Sequence, residues 1–562
     1  MKKTLLLPLV FAGGIFALDL SATGGYDIRS SHLVHPGAYI PAMCYTKTVD
    51  RKGGKHNPCF ACHIEPKAPN YAFGDEALQA AYDFPDPALK NPYSNLFRDF
   101  RPLIAKIDDA TIKRYVSESN YFDSEGRIVL RKKLLHLPAQ WDENGDGKWS
   151  GYLPDCYYHF DDHGIDHAPD GRATRWAAFA YTPFLGTFWP TNGSTDDVLI
   201  RLPGSFARAR RGGDYNETIY RVNLAIIESL IKRKDVAIDP VDERSLGVDL
   251  DRDGRLDVAR KVTFDWAPLQ GHKMSYVGEA KELLTRGKVH LAAGLYPEGT
   301  EFLHSVRYLG FDKNDSVVLA ARMKELRYAK KVLWATYADL HNKGLADFQE
   351  GDQDPESLEH FSGSMERGLG NHMGWVYQGF IEDRNGDLRP QSHEETLNCM
   401  GCHSGIGATT DGTFAFPRKL DAASSWRRGW YHATQKDLHG IPEPRLCDGS
   451  YEYTRYLRFN RSGNEFRNND EVIRRFFTPS GELNATMIRR LHRDVTLLLL
   501  PSTRRALRLD KAYKALVETQ SFIQGRAAHG APLDDVVWRE LNASQPTHLK
   551  IVHAPVCNPS HR

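Results

Sequence analysis

The chain has 562 residues, with 73 basic against 72 acidic side chains and a formal net charge of +1. This balance leaves no long-range field of one sign to attract nucleic acid, so we expect no nucleic-acid partner. The mean hydropathy of -0.50 excludes a polytopic membrane protein. A chain of this length suits two to four folded domains.

The N-terminus predicts export. Two lysines precede an apolar run from Leu5 to Phe16, and Ala17 and Ala22 are small residues suited to a cleavage site. The run is shorter than the roughly 20 residues that a spanning helix needs, and no Cys follows it as a lipid-anchor signal would require. We expect a cleaved signal peptide over residues 1–22 and a mature chain without a stable membrane span, in the periplasm or secreted. An uncleaved anchor is the alternative.

Two pentapeptides carry the most specific signal in the sequence: CFACH at Cys59–His63 and CMGCH at Cys399–His403. Cys-x-x-Cys-His is the attachment sequence of haem c, in which both thiols bond to porphyrin vinyl groups and the His ligates the iron. The composition predicts roughly 0.005 matches by chance. Zinc binding, a redox pair and disulfides are the weaker alternatives. The predicted cofactor-binding residues are Cys59, Cys62, His63, Cys399, Cys402 and His403.

On these two motifs and the export signal, the sequence resembles exported dihaem c-type cytochromes. The resemblance covers only the two pentapeptides and identifies no subfamily. It implies two covalently bound haem c groups and a periplasmic protein that carries single electrons between a redox donor and acceptor, proteins or small molecules that the sequence does not identify. The alternative is a dihaem enzyme of peroxidase or oxygenase type with one open haem iron, so whether the protein is an enzyme stays open. A third class is a structural or adhesive exported protein.

Two histidines are candidates for the second face of the irons. His304 lies in EFLHSVRYL, where alternation predicts an apolar strand face that includes Phe302 and Val306. A core histidine with a hydrogen-bond partner is the alternative there. His432 follows an aromatic and basic stretch, beginning at Trp426, that suits a porphyrin edge. We expect His432 to be the second ligand at Cys399–His403.

Two acidic segments space oxygen ligands as a calcium loop does, and each contains a Gly for the sharp turn. Neither has the Glu at position 12 of an EF-hand, and an empty acidic turn is the alternative for both. The stretch EDRNGD at 382–387 is interpreted as a plain turn. The predicted calcium ligands are Asp142, Asn144 and Asp146 in the first loop, and Asp249, Asp251, Asp253 and Asp257 in the second.

Four cysteines lie outside the pentapeptides. In an oxidising compartment they allow up to two disulfides in three pairings, and free buried thiols are the alternative. The sequence selects none of these pairings. The residues are Cys44, Cys156, Cys447 and Cys557.

The expected fold is mainly α with an α+β central section and long loops, and with cytochrome c-like haem regions at both ends. After the signal peptide we expect a first haem region at 23–150, the α+β section with its calcium-like loop at 151–310, a long connecting helix at 311–349, and a second haem region with C-terminal helices at 350–562. The connecting helix is predicted to be capped by Asp315 and to end at Gly344, with an apolar stripe that includes Leu319, Met323 and Leu326. In the α+β section, the strand-like runs RWAAFAYTPF, DVLIRLP, RKVTFDW and EFLHSVRYL surround a candidate helix at Glu217–Lys232. The C-terminal helices are predicted at about Asn484–Thr496 and Ser502–Gln524.

Overall fold

A computed structural model describes residues 33–187, 189–354 and 356–555. The predicted signal peptide and Cys557 lie outside the described residues. The α-helices are α1 (Arg101–Ile104), α2 (Asp109–Ser117), α3 (Val129–Leu135), α4 (Glu217–Lys232), α5 (Glu243–Leu246), α6 (Glu279–Thr285), α7 (Tyr337–Gln353), α8 (His393–His403), α9 (Glu452–Asn460), α10 (Asp470–Phe476), α11 (Ala485–Leu491), α12 (Thr496–Leu499) and α13 (Thr503–Thr519). The strands are β1 (Ala81–Tyr82), β2 (Ile165–His167), β3 (Ala173–Ala178), β4 (Thr195–Arg201), β5 (Val236–Asp242), β6 (Val258–Val262), β7 (Glu301–Phe311), β8 (Val317–Lys331), β9 (Gly363–Ser364), β10 (Gly368–Gly370), β11 (Trp375–Glu382), β12 (Leu388–Pro390) and β13 (Gln545–Pro546).

A 9-stranded antiparallel sheet forms the centre of the molecule. Its strands follow the order β2, β3, β4, β7, β8, β11, β10, β9, and β12 pairs with β11. The longest pairing joins β7 and β8, from Glu301 opposite Lys330 to Phe311 opposite Val317. A sheet of this size overturns the expected mainly α fold with cytochrome c-like regions at both ends. The helices and the long loops pack around this sheet.

The predicted connecting helix at 311–349 is wrong. Its first half forms strand β8, which is paired on both edges, and Asp315 lies in the β7–β8 turn with a φ of 61°. Helix α7 begins only after Thr336, whose hydroxyl accepts a hydrogen bond from the Asp339 N–H. Gly344, which was predicted to end the helix, lies inside it. A Cβ at this position would come within 1.9 Å of the Tyr71 carbonyl oxygen, so the close packing of these two segments requires glycine. A strand buried on both faces mimics the apolar spacing of a helix.

Other predicted elements are confirmed. The candidate helix at Glu217–Lys232 is α4, where Asn216 caps the N-terminus and Arg233 ends the helix in a left-handed conformation. The strand-like runs correspond to β3, β4, β6 and β7. The helix predicted at Ser502–Gln524 is α13, capped by Ser502, whereas the one predicted before it divides into α11 and α12.

The two ends of the described chain pack together. Strand β1 pairs with β13, and Thr46 forms an isolated antiparallel bridge with Val537. The Lys47 N–H also donates to the Val536 carbonyl oxygen at 2.7 Å. Residues from the two expected haem regions therefore share one hydrogen-bonded body.

Candidate functional site

The first pentapeptide forms a single helical turn. The N–H groups of Cys62 and His63 both donate to the carbonyl oxygen of Cys59, at 3.1 Å and 2.9 Å. Side chains three and four positions apart lie on the same face of such a turn. Phe60 holds the turn from the other side, with its ring 5.3 Å from that of Phe459.

The second pentapeptide is the last turn of α8. Ser392 begins this helix with a capping box, in which its hydroxyl accepts from the Glu395 N–H and the Glu395 carboxylate accepts from the Ser392 N–H. Helical spacing then places Cys399, Cys402 and His403 on one face. The same five-residue pattern thus adopts related turns in two different local structures.

Both motif histidines are oriented through Nδ1. In His63 this nitrogen lies 2.8 Å from Oδ1 of Asp75, and in His403 it lies 2.9 Å from the carbonyl oxygen of Gly412. No hydrogen bond among the described residues involves the Nε2 atom of either ring. A protein acceptor at Nδ1 fixes the proton there and leaves the Nε2 lone pair free to bind a metal.

The two motifs meet in space although 340 positions separate Cys59 from Cys399. Asp75, the partner of His63, also accepts the Gly407 N–H at 2.7 Å. The Ala408 N–H donates to the carbonyl oxygen of Cys62 at 3.1 Å. The loop that follows the second motif therefore forms part of the first site.

A cavity of about 360 Å³ lies between the motifs. Its wall includes thiols from both motifs, together with His403 and His304. Most of the remaining wall is apolar or aromatic, and cavities of this size and character commonly bind small molecules or cofactors. Residues of the apolar wall include Met43, Phe184, Trp189, Val198, Phe302 and Phe414.

Positive charge is concentrated on the Cys399 side of the cavity. Arg327 and Arg526 both contact the carboxylate of Glu325, at 2.8 Å and 3.0 Å, and all three residues line the cavity. Two guanidinium groups on one carboxylate leave an excess positive charge. This edge of the cavity suits an anionic group on an occupant.

Burial controls the titration of the site. It raises the pKa of the Cys59 and Cys402 thiols to about 12, and it lowers the pKa of His403 to about 4. The two thiols are therefore protonated at neutral pH, whereas reactive cysteines are thiolates. The His403 ring is neutral, which is the form that ligates metals.

The structure brings His304 to the cavity but not His432. Residues 196 and 197 point to opposite faces of β4, because side chains alternate along a strand. Nε2 of His304 lies 3.2 Å from Asp196, whereas Nε2 of His432 lies 3.0 Å from Asp197. Nδ1 of His432 is also bonded, to the Thr434 hydroxyl at 2.8 Å. The expectation that His432 ligates at Cys399–His403 is wrong, because the sheet separates them.

The second acidic loop gains a carboxylate that the sequence pattern did not include. Glu243 is fully buried, and its carboxylate accepts the N–H groups of Leu250 at 2.5 Å and Asp257 at 3.2 Å. Its oxygen and those of Asp249 and Asp251 lie within 4.8 Å of one another. Oδ1 of Asp251 is buried without a hydrogen-bond partner. The missed signal is a Glu at the first position of α5, immediately after β5.

The other predicted oxygen ligands are more open. In the first loop Asp142 accepts the N–H groups of Gly145 and Gly147, and the Asn144 side chain accepts the Asp146 N–H at 2.9 Å. In the second loop Asp253 accepts the Arg255 N–H, at 2.8 Å. Asp142 is half-buried, whereas the other predicted ligands of this group are exposed: Asn144, Asp146, Asp253 and Asp257. The stretch 382–387 is the turn between β11 and β12, as expected.

The remaining cysteines differ in state. Cys44 and Cys156 are free thiols, and Cys447 is disulfide-bonded. Cys44 lies close enough to Cys402 for the two thiols to interact electrostatically. A disulfide that joins Cys44 to Cys156 is therefore not formed.

A family model with the description "-like lipoprotein" matches residues 155–491, which is more than half of the chain. The chain belongs to this lipoprotein family. A relative from Aquifex aeolicus (strain VF5), named "Uncharacterized lipoprotein", is 28% identical over 544 residues, covering 89% of this chain and 87% of the relative. No solved structure matches the chain. The matched region contains Cys399–His403 and the strands around the cavity.

Membership of the lipoprotein family corrects the identification as an exported dihaem c-type cytochrome. The two functions drawn from that resemblance, single-electron transfer between redox partners and a dihaem peroxidase or oxygenase, are withdrawn with it. The family is one of exported proteins of the cell envelope. Across residues 33–187, 189–354 and 356–555, no helix is both long and apolar enough to cross a membrane.

Proposed function

We propose that this lipoprotein-family member is an envelope protein that holds two haem c groups covalently, one at each pentapeptide. We also propose that it reaches the periplasm or the exterior after cleavage of the signal peptide at residues 1–22. The observation that carries the haem proposal is the orientation of the two histidines. His63 and His403 each have Nδ1 fixed by a protein acceptor and Nε2 without a hydrogen bond among the described residues.

The attachment chemistry needs only the groups at the site. Each thiol adds across one vinyl double bond, so that sulfur bonds to the carbon next to the ring and the thiol hydrogen goes to the terminal carbon. This addition needs no oxidant and releases no leaving group. When bound, a haem supplies an iron whose potential and ligand binding depend on its axial ligands and its burial.

The cavity wall supports this proposal through its charge and shape. Apolar side chains suit the faces of a porphyrin, and the excess positive charge of Arg327 and Arg526 suits its propionate groups.

Intact mass under denaturing conditions tests the proposal. The full chain, produced in a host with a working haem c maturation system, should retain the mass of two haem groups. Cys59→Ser with Cys62→Ser, and Cys399→Ser with Cys402→Ser, should each remove one group. Cys44→Ser is the matched control, because this free thiol lies beside the site but outside both pentapeptides, and it should change nothing. A bare chain from the same host would overturn the proposal.

We propose His304 as the residue that faces the group held at His403. Its ring lines the same cavity, and Asp196 orients it through Nε2. His304→Ala should open that site to cyanide, seen as a rapid shift of the haem absorption band. His432→Ala is the control, because His432 lies across the sheet and should leave the spectrum unchanged. Equal spectra for both variants would show that another residue faces the group.

We further propose that calcium binds the loop of Asp249, Asp251, Asp253 and Asp257 with the help of Glu243. The buried Asp251 oxygen without a partner and the three clustered carboxylates support this proposal. A saturating ion stabilises the folded state by roughly 2–3 kcal/mol at a hundredfold excess over its Kd. A chelator should therefore lower the melting temperature of the full chain. Asp251→Asn should remove that response, and Asp170→Asn, in an exposed turn, should preserve it.

The first loop, with Asp142, Asn144 and Asp146, is the weaker calcium candidate, since Asn144 and Asp146 are exposed and only Asp142 is half-buried. Asp146→Asn separates the two loops in the same melting experiment. If the chelator changes neither melting nor the metal content of the wild-type chain, both loops are plain acidic turns.

A further inference from the structure

A cluster of imidazole and carboxylate groups lies outside the cavity, around the turn that leads into β2. Asp161, His163 and Glu217 each offer one ligand atom, and the three atoms lie within 4.8 Å of one another. Nδ1 of His163 contacts the Glu217 carboxylate. Glu217 comes from the first turn of α4, more than 50 positions further along the chain, so tertiary structure assembles the cluster.

A second imidazole fixes this cluster. Nε2 of His167 lies 2.9 Å from Oδ2 of Asp161, and Nδ1 of His167 lies 3.2 Å from the carbonyl oxygen of Gly171. The other oxygen of Asp161 accepts the N–H groups of His163 and Ile165, at 2.8 Å and 2.9 Å. Asp161 is therefore held in one orientation before any ligand arrives.

The backbone of the turn is equally constrained. Gly164 has a φ of 74°, and a Cβ at this position would come within 3.0 Å of the Trp430 backbone and 2.9 Å of the Ala178 carbonyl oxygen. Only glycine fits both the conformation and the space. The segment that carries Asp161, His163 and His167 is thus packed against the protein body although its side chains reach solvent.

We propose that Asp161, His163 and Glu217 bind a divalent transition-metal ion, with zinc as the best match, and that His167 positions Asp161. Mixed imidazole and carboxylate ligands favour zinc and its neighbours over calcium, which takes oxygen ligands alone. Two carboxylates neutralise the two charges of the ion. This site is independent of the haem and calcium proposals, because it shares none of their residues.

Zinc binding to the full chain tests this inference. Zinc bound per chain is measured by equilibrium dialysis against a zinc buffer, followed by elemental analysis. His163→Ala should lose one equivalent that the wild-type chain binds. His167→Ala should keep the equivalent at an affinity reduced about 10- to 100-fold, as for other residues that orient metal ligands. Any zinc bound by the cysteines is the same in the wild-type chain and in these variants, because all of them have the same thiols. The difference in zinc bound per chain therefore reports on the histidine site alone.

His439→Ala is the matched control. His439 is an exposed imidazole 2.8 Å from a single carboxylate, Asp437, and belongs to no ligand cluster among the described residues. It should bind zinc as the wild-type chain does. Equal zinc binding by wild type, His163→Ala and His439→Ala would overturn the inference. Melting curves in a chelator check that the variants fold, and Glu217→Gln provides a second route to the same loss.

Discussion

The two Cys-x-x-Cys-His sites have the same pattern but different support. At the first site the histidine is oriented by the carboxylate of Asp75, and the turn is held by loops from distant parts of the chain. At the second site the histidine is the last residue of the capped helix α8, and it is oriented by the neutral carbonyl group of Gly412. An anionic acceptor increases the basicity of an imidazole more than a carbonyl does. The pentapeptide sets the turn, and its surroundings set the properties of the ring.

The support of the second site is also more deeply buried. Asp411, next to Gly412, forms an ion pair with Lys331 in which both side chains have 0% exposure. The Asp411 carboxylate also accepts the Tyr296 N–H at 3.0 Å. At the first site, the supporting Asp75 side chain is 6% exposed and its partner His63 is 20% exposed. We expect substitutions around the second site to cost more folding free energy than equivalent substitutions around the first.

The largest effect should come from Asp411→Asn. Removing one partner of a buried ion pair leaves Lys331 buried and uncompensated, which typically costs about 3–5 kcal/mol. Urea unfolding of the full chain measures this loss as a lower midpoint. Asp387→Asn is the control, because its ion pair with Lys133 is partly exposed and should contribute less than about 1 kcal/mol. Similar losses in the two variants would contradict the difference in burial.

The sequence predicted local structure better than tertiary arrangement. Helix α4 has the predicted bounds, Glu217–Lys232, and β4 and β7 form where strands are predicted. The helix predicted over 317–331 was wrong because residues 322–326 are buried on both faces of the strand, and apolar spacing there fits either a helix or a strand.

The candidate site was predicted only in part, for a similar reason. Both pentapeptides are recognisable because their chemistry depends on local spacing. Their proximity in space is not recognisable from the sequence, since it depends on a hydrogen bond between Asp75 and a loop residue 332 positions away. Sequence proximity suggested His432 as a partner of the second motif. Two adjacent strand residues, Asp196 and Asp197, instead direct His304 and His432 to opposite faces.

A pH-dependent prediction concerns Glu465, on the cavity wall. Burial raises the pKa of this carboxyl from 4.5 to about 7, against the opposing hydrogen bond from Asn192. The folded state therefore binds more protons than the unfolded state between these values, and stability falls as pH rises from about 4.5 to 7. Glu465→Gln should match the wild-type chain at pH 4.5 and exceed its stability at pH 8 by on the order of 3 kcal/mol.

Urea unfolding at the two pH values measures this difference. Glu125→Gln is the control, because Glu125 is largely exposed and its substitution should leave the pH dependence of the wild-type chain in place. A Glu465→Gln variant with the wild-type pH profile would mean that the carboxyl ionises freely in the folded cavity.

Asp75→Asn tests the first site directly. Asparagine has the shape of aspartate but no charge and only one acceptor oxygen. It therefore cannot accept hydrogen bonds from both the His63 ring and the Gly407 N–H as the two carboxylate oxygens of Asp75 do. We expect a loss of about 1–2 kcal/mol, measured by urea unfolding, since hydrogen bonds to charged groups are of this order. Asp470→Asn, at an exposed helix position, is the control. A larger loss here than in Asp411→Asn would reverse the comparison of the two sites.

The smallest effect should come from Ser392→Ala, which removes the side-chain cap of α8. The hydroxyl accepts the Glu395 N–H at 3.2 Å, and loss of such a cap costs about 1 kcal/mol. The turn at the first site follows Pro58 and is capped separately, by the Asn57 side chain, which accepts the Phe60 N–H at 3.2 Å. Hydrogen exchange should therefore accelerate in the first turn of α8 and stay unchanged at residues 59–63. Ser392→Thr, which keeps the hydroxyl, should restore protection. Faster exchange at both pentapeptides would show that the two sites unfold together as one unit. The different contacts around the two histidines would then not give the sites separate stabilities.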